Sequence, residues 1–264
     1  MAMAPYSFSP EMPNTVPMSP HPLTRGRAAV GLMAAVALLL SAAGEAGAVT
    51  VGPRTVAFSG FSWSVKASTG LVGPGPNVFS DSPENVWVDA GGQLHLRITY
   101  RNGQWLAAEV VIDRSLGYGT YAFNLVSPTG RLDPNVVLGL FTWSDDPAYN
   151  HREIDVELAR WGDAGATQNA QYAVQPADRV GNLSRFVQPD APATSHQFAW
   201  APNRVSFASS SGVSTVAAWK YSGADVPKPG NERTRINLWL DHGRPPTDGA
   251  EVEVVLSQFS FTGR

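Results

Sequence analysis

No cysteine occurs in the 264 residues. Disulfides, thiolate metal sites and a cysteine nucleophile are thereby excluded, so packing and hydrogen bonds alone hold the fold. A surplus of one charge is also missing. Nineteen Lys and Arg stand against 22 Asp and Glu, a formal net charge of −3, and the basic residues are scattered. No nucleic-acid partner or anionic membrane surface is expected from that distribution. Three catalytic signatures are likewise absent: the Gly-x-Ser-x-Gly elbow, the Gly-x-x-x-x-Gly-Lys phosphate loop and the His-Glu-x-x-His zinc helix. Esterase, nucleotidase and zinc-protease readings lose their support. The acidic stretches Asp145-Asp146 and Asp89 have ordinary turn sequences around them, and neither a metal nor any other cofactor is expected.

Long apolar runs are rare. The one that stands out, Ala28 to Ala43, follows Arg25 and Arg27 and precedes the small tripeptide Ala46-Gly47-Ala48. That order is the pattern of a Sec-type signal peptide cleaved after Ala48. The run is a little long for such a segment and slightly short for a comfortable bilayer span, so a retained N-terminal anchor is the alternative. The expected division is therefore residues 1–48 as extension and signal peptide, and 49–264 as the mature domain. Cleavage would release the mature domain from the membrane into the extracellular or periplasmic space. Residues 1–24 are rich in Pro, Ser and Met, and Met18 is a second candidate start.

Helical periodicity is lacking too. Beyond residue 49 no stretch keeps an apolar 3.6-residue period over three turns, whereas alternation by two recurs, as in Leu94-His95-Leu96-Arg97-Ile98 and Arg204-Val205-Ser206-Phe207. Further strands are predicted over 105–112, 119–126, 136–143, 152–161, 171–174, 196–200, 215–221, 235–240 and 251–262. Gly 25 and Pro 21 supply turns between them, for example Asp89-Ala90-Gly91-Gly92 and Arg101-Asn102-Gly103. The chain is expected to be all-β, a two-sheet antiparallel sandwich of roughly a dozen strands in one monomeric domain. Eight Trp, seven Tyr and eleven Phe suit a carbohydrate-binding protein of that class.

Chemistry concentrates in Arg152-Glu153-Ile154-Asp155-Val156-Glu157-Leu158-Ala159-Arg160-Trp161. On a strand, Glu153, Asp155, Glu157 and Trp161 share one face, with Ile154, Val156 and Leu158 on the other. Three carboxyls so placed repel one another unless they face solvent or share protons, and proton sharing drives their pKa values apart. Glycosidic cleavage needs one neutral carboxylic acid and one ionised carboxylate. A solvated acidic strand face is the alternative.

Glu-Ile-Asp-Val-Glu resembles the active-site signature of glycoside hydrolase family 16, the clan of laminarinases, lichenases and xyloglucan transferases. Tyr118-Gly119-Thr120-Tyr121-Ala122-Phe123, Ser195-His196-Gln197-Phe198-Ala199-Trp200 and Ile236-Asn237-Leu238-Trp239 resemble flanking strands of that family, and the similarity covers about 55 to 264. The resemblance implies a concanavalin-like jelly roll with a concave cleft and a polysaccharide substrate. It implies Glu153 as nucleophile, Asp155 as assisting carboxylate and Glu157 as general acid and then base, in an endo-acting retaining hydrolase. A transglycosylase or a non-catalytic carbohydrate-binding sandwich would keep the same frame. Trp161, Trp239, His196 and Trp143 are the candidate sugar-binding residues. His151 and Arg152 are placed to hold the carboxylates. The segment Asn135 to Trp143 departs from the family's pattern. On a straight strand the Cα atoms of Glu153 and Glu157 would lie about 13 Å apart, at roughly 3.3 Å per residue, whereas retaining chemistry wants carboxyls about 5–5.5 Å apart; a curved strand is required.

Overall fold

The structure is a computed structural model that describes residues 49–264. The signal peptide expected within residues 1–48 lies outside the described residues.

The described residues form sixteen strands. The first six are β1 (Val49–Phe58), β2 (Phe61–Ser68), β3 (Val78–Phe79), β4 (Val86–Val88), β5 (Leu94–Arg101) and β6 (Gln104–Ile112). After these come β7 (Gly119–Leu125), β8 (Val136–Trp143), β9 (Ile154–Ala159), β10 (Ala170–Val174) and β11 (Leu183–Phe186). The chain closes with β12 (Thr194–Ala201), β13 (Arg204–Ser211), β14 (Ser214–Tyr221), β15 (Arg233–Leu240) and β16 (Val252–Gly263).

One layer runs β11-β10-β9-β8-β15-β6-β2-β1 and the other β4-β5-β16-β7-β12-β13-β14. All these pairings are antiparallel, and the two-residue strand β3 adds a short parallel contact to β6. The hairpin β5–β6 joins the layers. Its turn needs positive φ at both central residues, which Asn102 (φ 52) and Gly103 (φ 80) adopt at little cost. β6 starts beside β5 and ends between β15 and β2, so it carries the chain from one sheet to the other.

Alternation explains why these segments pair as they do. Ile154, Val156 and Leu158 of β9, Ile236 and Leu238 of β15, and Leu94, Leu96 and Ile98 of β5 are all fully buried between the sheets. Each such side chain contributes about 1.5–3 kcal/mol by leaving water. β6 and β8 depart from the half-buried pattern, being buried on both faces over most of their length. Their second face forms the floor of a cleft, and this is the reason the sequence from Val136 to Phe141 is continuously apolar.

Candidate active site

β9 builds the site. Its core-side residues fix the register, so Asp155 and Glu157 project together from the opposite face, with Glu153 one residue ahead of the strand. Glu153 and Glu157 are half-buried, whereas Asp155 is buried beneath them, 2% exposed.

Before Glu153 the chain makes a left-handed turn. Tyr149, Asn150, His151 and Arg152 have φ of 55, 50, 61 and 53, a conformation that costs roughly 1–2 kcal/mol per non-glycine residue. The surrounding contacts compensate. Arg152 is buried, its Nη1 donating to Asp146 Oδ2 at 2.9 Å and its Nε to the Lys228 carbonyl at 3.1 Å. His151 stacks on Trp143, centroids 4.1 Å apart and planes within 6°. Arg152 and His151 therefore brace the loop and do not hold the carboxylates, contrary to the sequence expectation. The partners of Arg152 lie in loops that alternation does not place, and His151 is held at the end of β8 by Trp143.

The cross-strand register sets what faces the acids. Glu157 pairs with Gln171 on β10 and Gly139 on β8; Gly139 pairs with Asn237 on β15, and Asn237 with Glu109 on β6. Gln171 Nε2 donates to Glu157 Oε2 at 2.7 Å, and Gln175 Nε2 donates to Asp155 Oδ2 at 3.0 Å. A methyl group on Gly139 would lie 2.5 Å from Asn237 Oδ1, so this glycine opens the space between Asn237 and Glu157.

Electrostatics follows from burial. Desolvation and the neighbouring Glu157 push the Glu153 carboxyl up to about 8, against the Asp155 hydrogen bond and the Arg235 charge. Desolvation pushes Glu157 up to about 7, against the Gln171 hydrogen bond and the Arg185 charge. Asp155 is raised well above its ordinary value, first by burial and then by the two glutamates. The three cannot all be ionised together near neutral pH. The contact between Asp155 and Glu153 favours a proton on Asp155 and negative charge on Glu153. Of the two glutamates Glu153 is raised higher, about 8 against about 7, so burial by itself places negative charge on Glu157 first.

The cleft has a volume of about 490 Å³ and is lined by the three acids together with Phe141, Trp143 and Trp239. A charged floor lies beside them. Lys66 Nζ donates to Glu109 Oε2 and Arg235 Nη1 to Glu109 Oε1, both at 2.9 Å. Glu109 is fully buried; burial pushes its carboxyl up, but the Lys66 and Arg235 charges outweigh that and hold it below the usual range. Lys66, Glu109, Arg235 and Asn237 all line the cleft, and none was singled out from the sequence as a site residue. A lone glutamate inside the apolar run Ala107 to Ile112 was the available signal, since a buried charge requires a partner.

Among the candidate sugar platforms, Trp143 and Trp239 line the cleft. Trp161 does not. β9 ends at Ala159, Trp161 turns back with φ 54, and its ring packs edge-on against Trp239 at 6.0 Å. His196 is also corrected. It points into the sandwich in phase with Phe198 and Trp200, fully buried, with Nδ1 2.7 Å from Ser209 Oγ and Nε2 without a partner. Burial pushes it down to about 4. Among the described residues no group of three or more His, Cys, Asp or Glu is arranged to hold a metal.

No family model and no curated protein matches the sequence. Solved structures do match. The β-glucanase of Bacillus licheniformis superposes with a TM-score of 0.60 at 16% identity, over 83% of this chain and 98% of that one. A glycoside hydrolase family 16 protein of the Bacteroides ovatus mixed-linkage glucan locus, solved with its product, gives 0.57 at 12% identity, over 76% and 94%. An immunostimulatory antigen and pseudo β-1,3-glucanase of Mycobacterium tuberculosis gives 0.56 at 17% identity, over 76% and 91%. The chain has the jelly-roll fold of the family 16 β-glucanases, as its strand pattern and motif led one to expect.

Proposed function

We propose that the protein is an endo-acting glycoside hydrolase of family 16 type that cleaves a β-linked glucan or related polysaccharide with retention, by double displacement. The observation that carries this reading is the row of three buried or half-buried carboxyls on β9, raised in pKa and open to an aromatic-lined cleft. The neutral form of Glu157 protonates the departing glycosidic oxygen while ionised Glu153 attacks the anomeric carbon, forming a glycosyl ester and releasing the leaving-group half. Asp155, carrying a proton, donates to Glu153 and steadies its charge. Glu157, now ionised, removes a proton from water, which attacks the anomeric carbon and restores Glu153. Substrate completes the division of labour: the glycosidic oxygen favours a proton on Glu157, and the developing positive charge at the anomeric carbon favours an ionised Glu153. Trp143, half-buried in the cleft lining, offers ring surface to the sugars, and Trp239, 8% exposed, borders the cleft. Residues 1–48 fit this role as a leader that delivers the enzyme outside the cytoplasm.

A second reading is a carbohydrate-binding sandwich without turnover. A solved neighbour described as a pseudo β-1,3-glucanase favours it. Incubation of the mature domain with laminarin, lichenan and xyloglucan, following reducing ends beside Glu153→Gln and Glu157→Gln variants, separates the two. The hydrolase releases reducing ends and both variants lose about 10²–10⁴-fold. Glycan binding without new reducing ends supports the second reading, and undiminished cleavage by both variants removes the proposed roles.

A further inference from the structure

We propose that Arg235 is a positioning residue that biases the negative charge of the carboxyl row onto Glu153; this rests on the reading of Glu153 as nucleophile. The first support is a charge count in the floor. Lys66 and Arg235 bring two positive charges against the single Glu109 carboxylate, leaving the triad with one in excess. Lys66 is saturated: its ammonium donates to Glu109 and to the Gly73 carbonyl and lies 3.9 Å above the Phe79 ring. The guanidinium, by contrast, keeps donors that Glu109 does not take.

The second support is where that guanidinium is neutralised. Arg235 pairs in register with Phe141, and Phe141 with Asp155, so along β9 it stands level with the middle acid, flanked by Glu153 on one side and Glu157 on the other. Its Nη1 is taken by Glu109, which lies in the cross-strand row of Asn237, Gly139 and Glu157. Its Nη2 turns toward the Glu153 end, where Asp145 Oδ1 is 3.7 Å away, and Nε has no partner. Asp145 is 93% exposed and screened by water, whereas Glu109 is fully buried. The positive charge is thus offset more strongly on the side of Glu157, by buried Glu109 at 2.9 Å, than on the side of Glu153, by water-screened Asp145 at 3.7 Å. Consistently, Arg235 is among the groups that hold the Glu153 carboxyl down, while for Glu157 that part is taken by Gln171 and Arg185. The other groups bearing on this region are Asp155 from β9, Gln175 just beyond β10 and His151, which is stacked on Trp143.

The test is carboxyl 13C NMR titration of the full chain without substrate, beside the pH profile of kcat/KM on lichenan or laminarin. Arg235→Met is expected to raise the Glu153 titration by about one unit or more and leave Glu157 within a few tenths; Arg235→Lys restores most of the shift. Glu109→Gln, which unmasks a second positive charge, moves Glu153 the opposite way. In activity, Arg235→Met is expected to lose tenfold or more on the acid limb and recover toward alkaline pH. An unmoved Glu153 titration in both Arg235→Met and Glu109→Gln, or an equal displacement of Glu157, overturns the proposal. Because the titration requires no turnover, it decides the role of Arg235 even if no glycan is cleaved. Absence of cleavage by the unmutated protein counts against the hydrolase reading alone.

Discussion

Trp161 Nε1 donates to Gln171 Oε1 at 3.2 Å, and this contact fixes which end of the Gln171 amide faces Glu157. With the carbonyl end occupied, Nε2 is the end that reaches Glu157 Oε2 at 2.7 Å. Trp161 thus acts on the acid through Gln171 and not through the sugar. Trp161→Phe keeps the packing on Trp239 but removes the donor. The expected result is a several-fold loss of kcat, corresponding to a hydrogen bond worth about 1 kcal/mol, with KM nearly unchanged. A large rise in KM with kcat intact would instead make Trp161 a sugar platform.

Glu153 provides a stability prediction with a definite sign. Its folded pKa, about 8, lies above the unfolded value near 4.5. Between these values the folded state binds more protons than the unfolded state, so stability falls as pH rises through that window. Glu153→Gln removes the penalty. The variant is expected to melt several degrees higher than the parent at pH 8 and to match it at pH 4. Calorimetry at the two pH values is the check; equal Tm differences at both would rule out the proton linkage.

His196 contributes a slope of the opposite sign. Its folded pKa, about 4, lies below the ordinary 6.5, so the unfolded state binds the extra proton between these values and stability is lost as pH falls from 6.5 to 4. The full effect is about 3 kcal/mol. Urea unfolding across that range should show the loss in the parent and a flatter profile in His196→Gln, whatever its absolute stability. A parallel profile would mean that His196 does not become charged on unfolding.

Gly139 is the fourth position to probe. A methyl group there meets Asn237 Oδ1 at 2.5 Å, backed by the buried floor. Gly139→Ala is expected to cost about 1–3 kcal/mol by overpacking and to weaken glycan binding by narrowing the gap between Asn237 and Glu157. Glycan affinity by calorimetry, together with Tm, is the measurement. Unchanged values for both would mean that Asn237 swings away freely.

How much of this was legible in the sequence depended on the range of the interaction. Alternation placed β5, β6, β8 and β9 within two residues of their ends and put Glu153, Asp155 and Glu157 on one face, because that pattern is local. β4 and β11 escaped because runs of three and four residues resemble loops, whereas β2 was missed although Phe61, Trp63 and Val65 alternate with polar residues. Trp161 was misplaced because a left-handed residue followed by Gly162 (φ 74) ends the strand face early. His196 was misplaced although its phase with Phe198 and Trp200 pointed to the core. The Lys66–Glu109–Arg235 triad joins residues 43 and 126 positions apart, and no local pattern reports such a pairing.

The stereochemistry of the first product reports on the paired action of Glu153 and Glu157. Time-resolved 1H NMR of lichenan or laminarin hydrolysis should show the β-anomer of the new reducing end first, with the α-anomer growing only as mutarotation proceeds. An α-anomer formed first would contradict a covalent intermediate on Glu153 and make the enzyme an inverting one.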